Sequence, residues 1–192
     1  MDATTDTSLP SPPTEHPLVH KADEIFERTS PYEGVGLLHH CRRLYHLTSL
    51  LMEARGVAFD PALAYFIAMV HDLGLVSERD EGRNYLHRSL ALFHRETADM
   101  ALPDEDPEVV EQCILYNHRV LSVPGLSPAA ECFRNAVMIE HSRGLLRFGL
   151  PKERVKPVFE RYPRGNFDRV LLDFTWRTIR REPLTLVSGI FL

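Results

Sequence analysis

Ten histidines stand in this sequence, and five of them, His40, His71, His94, His118 and His141, fall inside strongly apolar stretches with helical spacing. An imidazole carried into a core must stay neutral or find a partner, because burying a polar group with its hydrogen-bonding capacity unmet is costly. Any one such histidine is accounted for by a hydrogen bond within the core. The pair His71-Asp72 is different. In Ala68-Met69-Val70-His71-Asp72-Leu73-Gly74 an imidazole and a carboxylate stand side by side at the end of the most apolar helical segment of the chain. Neutral imidazole and carboxylate suit divalent zinc, iron or manganese, and such an ion would neutralise the buried charge that makes the pair expensive.

These residues need helices to hold them. Residues 1 to 17, with Pro10, Pro12, Pro13 and Pro17 among Ser and Thr, read as a flexible tail. Residues 18 to 192 read as one domain. Helical spacing predicts segments over about 18 to 28 and 35 to 55, the second ended by Gly56. Asp60-Pro61 is a helix start, with the aspartate placed to cap and the proline at the first helical position, and the apolar run from Ala62 to Leu73 is a buried helix ended at Gly74. Residues 77 to 84 form a polar loop. Further helices are expected at about 85 to 101, 107 to 120, 127 to 147, 151 to 161 and 166 to 181, three of them opened by Asp106-Pro107, Ser127-Pro128 and Gly165-Asn166. Strand signals are nearly absent, so the fold class is all-α. The apolar stretch 184 to 192 is expected to dock back onto the body.

Composition narrows the function classes. With 44% hydrophobic and 26% charged residues in a chain of 192, a single globular domain with its own core is expected. No run of about 18 to 20 apolar residues is present to span a bilayer, and the first 20 residues lack the pattern of a signal peptide, which points to the cytoplasm. Cys41, Cys113 and Cys132 are scattered and form no CxxC pair, so they read as thiols rather than a disulfide framework. The net charge of -5 hides a basic C-terminal third: residues 143 to 181 carry eleven Lys/Arg against four Asp/Glu. Without interleaved aromatics or a nucleic-acid motif this reads as a solvated face, and no nucleic-acid partner is expected.

The same residues carry a family resemblance. The chain resembles the HD-domain superfamily of metal-dependent hydrolases, whose pattern is H, then HD, then D. His40-Cys41-Arg42-Arg43 is similar to the family's His-x-x-Arg, and Ala68 to Gly74 is similar to its HD segment; the likeness extends over roughly residues 34 to 165. His39 is the rival for the first ligand, but His40 alone stands three residues before Arg43. In the cyanamide-hydratase-like branch, the nearest one, the closing aspartate lies in Ala-Asp-Leu-Val-Asp-x-x-x-Gly, followed by Gly-Leu-Pro. Here Ala136 to Gly144 puts Glu140 in that place, followed by Gly149-Leu150-Pro151. A second departure is Tyr85-Leu86-His87-Arg88-Ser89, where that branch often has a Phe-Glu pair.

The resemblance implies a helical bundle holding one divalent metal, zinc, iron or manganese, through His40, His71, Asp72 and Glu140. His118 is then the general acid or base, and Arg43 or Arg42 holds an anionic group or a carboxylate ligand. The activity implied is that of a hydrolase or hydratase on a small molecule, working through a metal-activated water. A second metal is possible, with His94 and His118 as its ligands and His87 in competition with His94; it would turn the reading towards a di-iron oxygenase. A nucleotide phosphohydrolase and a catalytically silent HD-fold binding module also stay open, as does a homo-oligomer.

Overall fold

A computed structural model describes residues 9–77 and 84–184. Among the described residues eight α-helices follow one another in the order α1 (Pro17–Thr29), α2 (Gly36–Arg55), α3 (Pro61–Val70), α4 (Tyr85–Thr97), α5 (Pro107–Leu115), α6 (Pro128–His141), α7 (Lys152–Arg161) and α8 (Phe167–Arg181), with a 3-10 turn at Leu73–Leu75. No strand occurs among the described residues, so the fold is all-α, as expected. The loop expected over 77 to 84 and the C-terminal stretch expected to dock back lie almost wholly outside the described residues. Of the expected tail, residues 9–16 lie against the body: Leu9 packs on the core, and the Ser11 carbonyl accepts from the Tyr45 hydroxyl at 3.5 Å.

Helix α3 is the centre. Every residue from Ala62 to Val70 is buried, because α1 and α2 pack directly on it and α4 and α5 touch it as well. Its start is fixed as the sequence implies: Asp60 Oδ1 accepts from the amides of Ala62 and Leu63, both at 2.9 Å, and satisfies two N–H groups that a helix N-terminus leaves unpaired. Asp106 and Ser127 cap α5 and α6 in the same manner. Asn166 stands at the expected start of α8 but does not cap it. Its Oδ1 accepts from the Gly36 amide at 2.9 Å, and its amide donates to the Glu33 carbonyl at 2.8 Å, tying the start of α8 to the start of α2.

Two glycines permit the close approaches that bring the chemistry together. A Cβ on Gly36 would sit 2.4 Å from the Phe167 amide nitrogen, so only glycine lets α8 begin against α2. A Cβ on Gly74 would sit 2.0 Å from the Tyr85 carbonyl oxygen, so the turn after α3 passes under the first turn of α4. Four helices end earlier than their periodicity suggests, among them α3, which stops at Val70 rather than Leu73 and is followed by the 3-10 turn. Helix α5 stops at Leu115 rather than near 120, where the Asn117 side chain folds back to donate to the Cys113 and Ile114 carbonyls, at 3.3 and 2.8 Å. Helix α6 stops at His141 rather than 147, where Arg143 and Gly144 turn left-handed and the Gly144 amide closes on the Ile139 carbonyl at 2.8 Å. Helix α4 stops at Thr97 rather than 101.

Candidate metal centre

Two helices and the turn after the second bring the central residues together. His40 is in the middle of α2, His71 caps the end of α3, and Asp72 begins the turn that follows. Their donor atoms all lie within 4.8 Å of one another, and all three residues are buried. His40 Nε2 is 3.2 Å from His71 Nε2; Asp72 Oδ2 is 3.4 Å from the first nitrogen and 3.2 Å from the second. His71 Nδ1 lies 2.8 Å from the Ala68 carbonyl, an acceptor only, so Nδ1 carries the proton and Nε2 presents a lone pair. His40 Nδ1 makes no hydrogen bond but lies 3.2 Å from the Glu140 carboxylate, an acceptor that favours the proton on that nitrogen.

Two lone pairs and a carboxylate oxygen therefore converge on one point with no donor between them. Such a convergence is stable only around a positive charge, and two imidazole nitrogens with one carboxylate are a donor set for a borderline divalent cation. The residues present fit a metal ion on this ground.

The electrostatics are those of a compact charged cluster. Burial would raise the Asp72 pKa, but the adjacent His71 and His118 hold its carboxyl well below the usual range. Burial lowers that of His71, and Asp72 offsets only part of the effect. At His40 burial is the largest single influence and acts downward, but the Glu140 and Asp72 carboxylates together outweigh it and the net shift is upward.

The turn carrying His71 and Asp72 is held from α4. Ser89 Oγ donates to the His71 carbonyl at 2.6 Å and accepts from the Gly74 amide at 3.0 Å, while Arg88 Nε donates to the Gly74 carbonyl at 2.8 Å. Arg88 is paired with Glu182 beyond the end of α8. The His40 ring lies flat on Phe167, 4.2 Å between centroids and 9° between planes.

The other sequence candidates fall at different distances from the cluster. His118, in the turn after α5, reaches the cluster with Nε2 at 3.0 Å from Asp72 Oδ1, and stacks on His71 at 5.9 Å. Glu140 is not one of the three clustered donors; it stands behind His40, with Oε1 bound by Arg43 and Arg164. Arg43 is buried and its guanidinium is spent on Glu140 and on the Tyr162 carbonyl, so it holds a carboxylate and is not turned to a ligand of its own; Arg42 lines a separate surface cleft with Asp23, Phe26 and Tyr32. The structure does not bring His94 to the cluster. It lies on the outer face of α4, 52% exposed, beside Glu111 at 3.4 Å, because the inward face of that helix is taken by Leu86, Ser89 and Phe93. His87 is held by Asn84, and His39 by the Pro163 carbonyl at 2.8 Å.

Arg164, Phe167 and Ser89 support the site without any sequence signal, since each arrives through the packing of helices distant in sequence. His141 is visible in the sequence only as one more histidine in an apolar helix. Its ring lies 6.0 Å from that of His40 and 5.6 Å from that of His118, which closes a ring of four imidazoles around Asp72.

The family model for the HD domain matches residues 37–150, which is more than half of the chain and includes every element that supplies the cluster. No curated protein and no solved structure matches.

Proposed function

Because the chain belongs to the HD-domain family, most of whose members are metal-dependent hydrolases, we propose that it is a hydrolase or hydratase acting on a small molecule. The observation that carries this reading is the division of Asp72 between two sets of neighbours. Oδ2 belongs to the donor face with His40 and His71, while Oδ1 is in contact with His118. His40, His71 and Asp72 would hold a divalent ion, and three protein donors leave room for water, as a catalytic site requires. When bound, such an ion lowers the pKa of water and supplies a nucleophile near neutral pH. His118, fixed on the outer oxygen of Asp72, is placed to take or give a proton at Nε2. It is 12% exposed in its side chain, so it stands between the buried donors and solvent.

Within the family the cyanamide-hydratase-like branch is the nearest reading, on the Gly149-Leu150-Pro151 loop that follows α6. Glu140 in place of aspartate and the absence of an acidic residue in Tyr85 to Ser89 speak against taking cyanamide itself as substrate. The di-iron reading loses support from the outward position of His94. The test is metal content of protein purified without chelator, followed by turnover of nitriles, amides and phosphate esters by metal-free and metal-reloaded protein. One ion per chain and oxygen-independent hydrolysis that returns with the metal support the proposal. Two irons with turnover that requires dioxygen would overturn it in favour of an oxygenase.

A further inference from the structure

Glu140 occupies the place where the family resemblance puts a metal-binding aspartate, yet its two oxygens are disposed for another task. Oε1 accepts three guanidinium N–H groups: Arg43 Nη2 at 2.6 Å, Arg43 Nε at 3.1 Å and Arg164 Nη1 at 2.8 Å. Oε2 has no hydrogen-bonding partner and lies 3.2 Å from His40 Nδ1, which also has none. The two nitrogens of an imidazole point in diverging directions, so a carboxylate on Nδ1 stands behind the ring that presents Nε2. His40 Nε2 is the atom that faces His71 and Asp72.

We propose that Glu140 is a positioning residue and not a metal ligand. Locked by Arg43 and Arg164, its second oxygen keeps the His40 proton on Nδ1 and so keeps the Nε2 lone pair turned to the donor face. This rests on reading the cluster as a metal site and goes beyond it by reassigning the acidic residue. Three features fit. The guanidiniums fix the carboxylate in rotation, because a fork of N–H groups on one oxygen leaves the other a single direction. Phe167, stacked on His40, fixes the plane of the ring that the carboxylate addresses. Both Glu140 and His40 are fully buried, so no water competes for Nδ1. A carboxylate behind a ligand histidine sets its tautomer and raises its basicity.

The substitution Glu140→Gln reads this out. Arg43 and Arg164 only donate, so they retain the amide oxygen at the Oε1 position and turn the amide NH2 toward His40 Nδ1. That NH2 donates and drives the ring proton to Nε2. In metal-free protein, 15N shifts of the His40 ring are expected to show the Nδ1–H form in wild type and the Nε2–H form in Glu140→Gln. Zinc affinity, measured by chelator competition, is expected to fall by about 10- to 100-fold, and Asp72→Asn, which removes a ligand, by more. If Glu140→Gln does not fold, Glu140→Asp keeps the charge on Arg43 but withdraws it from Nδ1, and is expected to give both tautomers and weaker zinc binding. An unchanged His40 tautomer in the folded variant, or a loss of zinc in Glu140→Gln as complete as in Asp72→Asn, overturns the proposal. Failure of the wild type to take up zinc would count against the metal-site reading, while the tautomer comparison in metal-free protein would still decide this one.

Discussion

His118 meets Asp72 through Oδ1, at 3.0 Å from Nε2, while Oδ2 of the same carboxylate faces His40 and His71. One carboxylate thus joins a donor face to the imidazole of His118, and the two halves can be separated by substitution. His71→Ala and Asp72→Ala each delete a donor and are expected to abolish stoichiometric metal binding while circular dichroism stays helical. His118→Ala should keep about one ion per chain and lose about 10²- to 10⁴-fold in turnover, the usual contribution of a positioned acid or base. Metal analysis of the three purified variants checks this. Full metal content in both His71→Ala and Asp72→Ala would sink the assignment.

The turn that carries the pair depends on Ser89, whose hydroxyl serves the His71 carbonyl and the Gly74 amide at once. Ser89→Ala leaves a buried N–H and a buried C=O without that partner. Each unmet group costs about 1–3 kcal/mol, so a loss of about 2–6 kcal/mol is expected in urea unfolding. A change below about 0.5 kcal/mol would mean that other groups replace the hydroxyl.

The helix starts and the HD segment are legible in the sequence because they are local. Asp60-Pro61, Asp106-Pro107 and Ser127-Pro128 each begin a helix at the expected residue, and adjacency alone puts His71 beside Asp72. His40 is found through its spacing to Arg43. Helix ends are overrun, since periodicity does not register an Asn117 side chain folding back on α5 or the left-handed Arg143 closing α6. His94 lies outside the cluster for a related reason: helical spacing tells which residues share a face but not which face another helix covers. The neighbours of Glu140 come from α2 and from the loop before α8, and no single stretch of sequence encodes that meeting.

The outward position of His94 makes a plain prediction. With its ring half exposed beside Glu111, His94→Ala should change stability by no more than about 0.5 kcal/mol and leave metal stoichiometry as it is in wild type. A drop in bound metal would place His94 in a second site and revive the two-metal reading.

His46 gives the protein an acid-side weakness that can be isolated. It is buried on α2 with Nε2 at 3.1 Å from the Tyr162 hydroxyl, and burial, with Arg161 adding to it, lowers its pKa to about 4 from 6.5. The folded state therefore binds the proton less readily than the unfolded chain. Above pH 6.5 both states hold His46 neutral and it contributes no slope. As pH falls from 6.5 towards 4 the unfolded chain takes up a proton that the folded chain refuses, and stability declines. Below about 4 both are protonated and the slope ends. A shift of this size corresponds to roughly 3 kcal/mol across the window. His40, whose pKa is raised, acts in the opposite direction, so the net profile of wild type mixes the two. Comparison with His46→Leu removes the mixing, because His40 is common to both. Urea unfolding at several pH values should show wild type losing about 3 kcal/mol more than His46→Leu between pH 6.5 and 4, and parallel profiles in that window would show that the buried ring takes up its proton as readily as the unfolded chain does.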